Sequence, residues 1–213
     1  FLLTLGTVGF YLLEHHNPAT MGTLNAAGKF QAAFFQSVTT RTAGFASISQ
    51  SGLTNGSKLL ASMLMIIGGS PAGTAGGIKT TTVAVLLLTA ISVLRGNKDT
   101  ECYGRKITFE IIRVGITITL VTFVFWLFGV TVMTVIEPQQ KVLDLMFEAT
   151  SAMATVGLTA DLTPVLSDIS HVVLMLMMYI GRIGPMTMAL IFSGHVDKKN
   201  QFRTLPEAKI MVG

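Results

Sequence analysis

Two segments of this chain repeat one pattern at a fixed separation, which forces two copies of one local structure into a single fold. Phe34-Phe35-Gln36-Ser37-Val38-Thr39-Thr40-Arg41-Thr42-Ala43-Gly44-Phe45 aligns on Phe147-Glu148-Ala149-Thr150-Ser151-Ala152-Met153-Ala154-Thr155-Val156-Gly157-Leu158 at an offset of 113 residues (157 − 44). Without a gap, the same offset sets Met65 on Met178 and Gly68 on Gly181. A turn after a helix would account for either glycine alone, but not for two matches in register.

Apolar runs surround both strings in the same order. A span at 1–13, a shorter mixed segment at 24–40 and an interrupted span at 57–94 are followed by a span at 107–136, a short segment at 142–154 and a final span near 167–192. A helix needs ~20 apolar residues to cross a hydrocarbon core of about 30 Å, so the short segments are expected to be re-entrant. Only 12% of the residues are charged and 50% are hydrophobic, against about 25% charged in a soluble domain. These features predict an all-α integral-membrane chain of two helix, re-entrant pore loop, helix units. The first covers 1–95, with a truncated first helix and a broken second one, and the second covers 96–213 with a polar tail. The opening on Phe1, inside an apolar run and without a basic flank, reads as a truncation rather than a signal peptide.

Charge sets the expected orientation, because short cytoplasmic loops are rich in Lys and Arg. Arg95, Lys98, Arg105 and Lys106 fill the connector, and Lys198, Lys199, Arg203 and Lys209 fill the tail. Both face the cytoplasm on this reading, so each pore loop enters from outside. The net charge of +4 belongs to this asymmetry and not to a basic nucleic-acid face. The single Cys102 has no partner and no ligand spacing.

Each short segment ends in Thr-apolar-Gly-apolar: Thr42-Ala43-Gly44-Phe45 and Thr155-Val156-Gly157-Leu158. Backbone carbonyls replace the hydration shell of a potassium ion when they converge on one axis. Glycine supplies the φ angles this needs, and the preceding helix aims its negative end at a cation. The strings resemble the pore loops of the Trk/Ktr/HKT superfamily of potassium transporters, and the whole chain is similar to the C-terminal half of a Ktr-type subunit. That resemblance implies a four-unit pseudo-fourfold pore, half of it here. It also implies a filter at Arg41, Thr42, Ala43, Gly44, Phe45, Ala154, Thr155, Val156, Gly157 and Leu158, with potassium held by the backbone of Thr42, Ala43, Gly44, Thr155, Val156 and Gly157. Sodium is the alternative ion. The implied partners are the chain's own missing N-terminal pore units, a second subunit in a homodimer, the lipid bilayer and a cytosolic nucleotide-binding regulatory ring of the KtrA/TrkA type. The implied location is the cell membrane, multi-pass, with a cytoplasmic C-terminus.

Gly68-Gly69-Ser70-Pro71-Ala72-Gly73-Thr74-Ala75-Gly76-Gly77-Ile78-Lys79 interrupts what would otherwise be one long helix. Each interior Gly costs roughly 1 kcal/mol relative to Ala, and Pro about 3, so unwound backbone is expected. Gly69, Gly73 and Gly77 also have the spacing of small residues in helix packing. A phosphate-binding loop is discounted, because Ile78 separates Gly77 from Lys79. Gly68-Gly69-Ser70 also resembles part of a nucleophile turn, which keeps an intramembrane serine protease as an alternative. Its histidine would be His171, offset from Ser70 by about twelve residues of helix, roughly 18 Å. The family resemblance implies instead an intramembrane gate at 68–79.

Arg182 falls within the final span, where a central Arg costs roughly 2.5 to 3.5 kcal/mol and marks a functional or paired group. By the offset it corresponds to Gly69, the depth at which the interruption begins, and the resemblance implies that it restrains the gate. A structural clamp on carbonyls is the other reading. Arg41 is expected behind the filter, bonding loop carbonyls, since a cation facing the pore would repel potassium. Lys79 either faces the cavity or snorkels toward the cytoplasm. The twelve methionines are packing residues.

Overall fold

The computed structural model describes residues 1–70, 76–97, 99–102 and 104–184. Among the described residues seven α-helices dominate: α1 Leu2–Glu14, α2 Ala26–Thr39, α3 Asn55–Ile66, α4 Thr80–Leu94, α5 Phe109–Ile136, α6 Val142–Met153 and α7 Asp168–Ile183. A 3-10 turn at Thr163–Val165 precedes α7. One small hairpin adds to the expected helices: β1 Glu101–Cys102 pairs antiparallel with β2 Arg105–Lys106 in the charged connector. Among the described residues, α5 alone is long and apolar enough to cross a membrane, while α1 and α4 are shorter apolar helices.

The expected interruption of the 57–94 span is present, with α3 ending at Ile66 and α4 starting at Thr80. Helix α7 ends at Ile183, inside the apolar run at 167–192. Gly184 takes φ +87° and ends α7, the behaviour of a C-terminal glycine followed by proline. Pro185 and the rest of the 167–192 run lie outside the described residues.

The starts of α3 and α7 are fixed by side-chain caps that obey the 113-residue offset. Thr54 accepts the Ser57 amide at the head of α3, and Ser167 accepts the Ser170 amide at the head of α7. Each such cap contributes about 1 kcal/mol. A glutamate at the end of the preceding long helix secures each cap. Glu14 Oε1 accepts the Thr54 amide and hydroxyl, both at 2.8 Å. Glu137 Oε1 accepts the Ser167 amide and the Ser170 hydroxyl, both at 2.8 Å. The Ser167 and Ser170 bonds hold the Glu137 carboxyl below the usual carboxylate range.

One buried cluster joins the two halves of the chain: Phe10, Met21, Ala33, Ala61, Leu64 and Met65 pack with Phe147, Ala154 and Val156. A second, around Val130, Met133, Leu145, Leu174 and Met177, belongs to α5, α6 and α7. The buried Lys58 of α3 reaches Asp144 in the first turn of α6 at 2.6 Å, an ion pair that ties the halves together. Lipid removes most of the hydrophobic drive for helix association, so close approach at small residues carries the packing. A Cβ on Gly181 of α7 would lie 1.9 Å from the Met153 carbonyl oxygen at the end of α6. Gly181→Ala is therefore expected to lower stability by about 1–3 kcal/mol, the usual range for overpacking. A thermal melt of the full subunit in detergent measures it, and an unchanged midpoint would contradict this helix contact.

Candidate functional site

Both Thr-apolar-Gly-apolar strings leave a short helix in the same unusual conformation. Thr42 has φ +64° and Gly44 φ +75°; Thr155 has φ +52° and Gly157 φ +92°. Positive φ in a β-branched residue is a true outlier, with a cost of roughly 1–2 kcal/mol for the left-handed region. The same outlier at two positions 113 apart is a shared constraint rather than a local accident. The amides of both strings turn back onto their helices: Ala43 and Gly44 onto the Thr39 carbonyl, Val156 onto the Ser151 carbonyl, and Gly157 onto the Ser151 hydroxyl at 3.2 Å. Thr39 donates its hydroxyl to the Phe45 carbonyl at 2.6 Å.

The strings lie against each other. A Cβ on Gly44 would meet the Val156 carbonyl oxygen at 2.2 Å, whereas one on Gly157 would find, among the described residues, only Gly44 Cα, at 3.9 Å. Their surroundings differ. Ala43 and Phe45 are exposed, Phe45 by 71%, while their counterparts Val156 and Leu158 are 5% and 3% exposed. Ala154, just before the second string, is buried.

The interruption between α3 and α4 leaves and returns at one point. Ile67 bridges Ile78 in parallel register. Gly68 donates to the Ile78 carbonyl at 2.8 Å, Ile78 to Ile66 at 3.0 Å and Thr80 to Gly69 at 3.2 Å. Gly68 is required here, because its Cβ would fall 2.0 Å from the Gly76 carbonyl oxygen. Ser70 is exposed, Gly77 has φ +70° and Lys79 holds the N-cap position of α4. Pro71, Ala72, Gly73, Thr74 and Ala75 lie outside the described residues.

Each end of this segment is bonded to one string. Arg41, the residue before the first string, donates from Nη2 to the Gly68 carbonyl at 2.9 Å. At the other end the Gly76 amide donates to Thr155 Oγ1 at 3.1 Å. Among the described residues, Arg41 Nη1 and Thr42 Oγ1 are buried side-chain atoms without a hydrogen-bond partner. Arg182, exposed in the last turn of α7, lines a cavity of about 590 Å³ together with Thr155, Val156 and Gly157.

The buried polar residues of the short helices went unassigned in the sequence. Glu148 of α6, 4% exposed, accepts from the Thr159 hydroxyl, the Ala160 amide at 2.9 Å and the Thr163 hydroxyl at 3.0 Å. It thereby pins the chain that follows the second string. Gln36 of α2 does the same on the first side through a reciprocal amide pair with Gln50, at 2.6 and 3.1 Å. A carboxylate within a largely apolar short segment was the available signal. His171 sits in the first turn of α7 with its ring nitrogens 3.0 Å from the Ser167 and Thr163 carbonyls.

Comparison with known proteins accords with this architecture. The TrkH family, described as cation transport protein, matches residues 1–203. The Ktr system potassium uptake protein B of Bacillus subtilis is 37% identical over 203 residues, covering 95% of this chain and 45% of that protein. Its Vibrio alginolyticus namesake is 39% identical over 90% of this chain and 42% of its own length. The potassium/sodium uptake protein NtpJ of Enterococcus hirae is 34% identical, over 100% and 48%. The chain thus spans somewhat under half the length of these relatives. The crystal structure of the potassium transporter TrkH from Vibrio parahaemolyticus shares the fold at a TM-score of 0.73, with 17% identity over 92% of this chain and 43% of that one.

Proposed function

The chain belongs to the TrkH family of cation transport proteins, and on that premise we propose that it forms two walls of a potassium-conducting pore in the cell membrane. As a member of a transport family it is not an enzyme, which removes the serine protease alternative. The observation that carries the reading is the pair of left-handed threonine and glycine residues, Thr42 with Gly44 and Thr155 with Gly157. In an extended strand successive carbonyls point to opposite sides. Alternating left- and right-handed residues turn them to one side, as a ring of carbonyl ligands requires. The carbonyls of Thr42, Ala43, Gly44, Thr155, Val156 and Gly157 then replace ion-bound water, and the C-terminal ends of α2 and α6 add their negative dipole.

Two relatives are named for potassium uptake and a third for potassium/sodium uptake, which favours potassium and keeps sodium as the alternative cargo. The exposure of Phe45, against the burial of Leu158, fits a first string that awaits a neighbour. That neighbour belongs to two N-terminal pore units, the remaining walls of a four-unit ring. On this reading residues 1–95 and 96–213 are the two pore units present. The basic connector and tail face the cytoplasm, where a nucleotide-binding ring docks beneath a homodimer of complete subunits.

Residues 68–79 are the gate on this reading. Its entry is latched to the first string by Arg41 and its exit to the second by Thr155, while Arg182 restrains it from α7. Loosening a closed gate by 1–2 kcal/mol changes its open fraction by a factor of roughly 5–30. Arg182→Ala should therefore raise rubidium flux several-fold in proteoliposomes of the complete subunit. Equal flux would mean that Arg182 is only a structural clamp. The function itself is tested by growth of a potassium-uptake-deficient cell at low potassium. The complete subunit is expected to restore growth and its Gly157→Asp variant to fail, whereas rescue by both would refute the filter.

A further inference from the structure

We infer that the apolar cavity between α5 and α6 is a binding site for the end of a lipid acyl chain. The cavity measures about 150 Å³ and is walled by Ile66, Ile78, Phe123, Trp126 and Met153, with three threonines among them. The threonine protons are all engaged. Thr119 donates to the Gly115 carbonyl, Thr122 to that of Ile118 and Thr150 to that of Met146, at 2.9, 2.7 and 2.6 Å. The Thr150 oxygen in turn accepts Trp126 Nε1 at 2.8 Å. A buried water needs two to four polar partners, and apolar cavities of this size stay dry and take hydrocarbon. Left empty, the cavity would forfeit the dispersion contacts of its whole lining.

The occupant follows from position. Phe123, 54% exposed, forms the rim on the outer face of α5, where Leu120, Val124 and Phe128 are exposed as well. That helix is the one long enough, among the described residues, to cross a membrane. Trp126 is the 18th of its 28 residues, which puts the indole ~5 Å from the helix centre at 1.5 Å per residue. Tryptophan ordinarily sits at the membrane interface, yet this one lies at the depth of acyl-chain ends and is satisfied by Thr150 instead of water. Both halves of the chain contribute, Ile66 and Ile78 from one and α5 and α6 from the other. Its occupant packs on Gly77 and Ile78, where the interrupted helix returns.

Trp126 is the single tryptophan here and reports directly on the cavity. The complete subunit, placed in nanodiscs containing phosphatidylcholine brominated near the chain end, is compared with its Trp126→Phe variant to isolate the Trp126 emission. Expected is quenching that saturates with the fraction of brominated lipid and exceeds that from bromine near the headgroup. Thr122→Leu fills the cavity from a position only 5% exposed, and should reduce the quenching at least twofold. Thr119→Leu is the second filling variant should the first fail to fold. Undiminished quenching in a folded filling variant would overturn the assignment. So would quenching by a small free halocarbon without quenching by brominated lipid, which would put a free apolar molecule in the site. These readouts are independent of ion flux and hold whether or not residues 68–79 gate the pore.

Discussion

Replacing Gly44 with alanine is expected to bring ion uptake by the complete subunit close to background, while Gly157→Ala keeps a measurable fraction. The two glycines hold equivalent positions, but their surroundings separate them. Gly44 has φ +75° and its Cβ would stand 2.2 Å from the Val156 carbonyl oxygen, a backbone atom of the other string. Gly157 has φ +92°, but among the described residues its Cβ would meet nothing nearer than 3.9 Å. Left-handed backbone costs an alanine about 1–2 kcal/mol, and overpacking adds about 1–3. Only Gly44→Ala incurs both, about 2–5 kcal/mol in all. At 1.4 kcal/mol per decade, this weakens ion coordination roughly thirtyfold or more. The relief open to the chain is to separate the strings, which moves the Val156 carbonyl off the proposed ion path. Rubidium uptake into proteoliposomes distinguishes the variants, and equal loss in both would mean that the contact between strings is immaterial.

Glu148→Ala is expected to be the most destabilising change at the site. Glu148 accepts three hydrogen bonds, from Thr159, Ala160 and Thr163, and each contributes about 0.5–1.5 kcal/mol. Truncation also leaves the buried Ala160 amide unpartnered, a further penalty of about 1–3 kcal/mol. Since these contacts are not additive, a loss of roughly 3 kcal/mol or more is the safe expectation. The chain following Gly157 would lose its anchor, so uptake falls with stability. Glu148→Gln should fall between wild type and alanine, because its amide oxygen still accepts from Thr159 and Ala160 while its NH2 replaces the oxygen that accepts from Thr163. Thermal melting and uptake of the three proteins test the order, and an alanine variant that matches wild type would contradict it.

Much of the architecture was legible because the repeat keeps one register where geometry is strict. Strings, the caps of α3 and α7 and Gly68/Gly181 all obey the 113-residue offset, since a shift of one residue would misdirect a carbonyl or bury the wrong face. The glutamates that secure the caps escaped, because Glu14 and Glu137 are 123 residues apart (137 − 14). The link from α1 to α2 is longer than that from α5 to α6, so a fixed offset passes over them. The Lys58–Asp144 pair joins residues 86 apart, and periodicity cannot reveal such a contact. Gly184 was readable as a helix stop from the proline after it, but the apolar run around it masked the signal. Arg41 was expected behind the string with loop carbonyls, and the structure sets it against Gly68.

The most direct test of the central proposal is to locate the ion. Crystals of the complete subunit grown in rubidium or thallium salts should show anomalous density between the two strings, in contact with the carbonyls of Thr42, Ala43, Gly44, Thr155, Val156 and Gly157. Density confined to other sites, with these carbonyls turned away from the pore axis, would contradict the account.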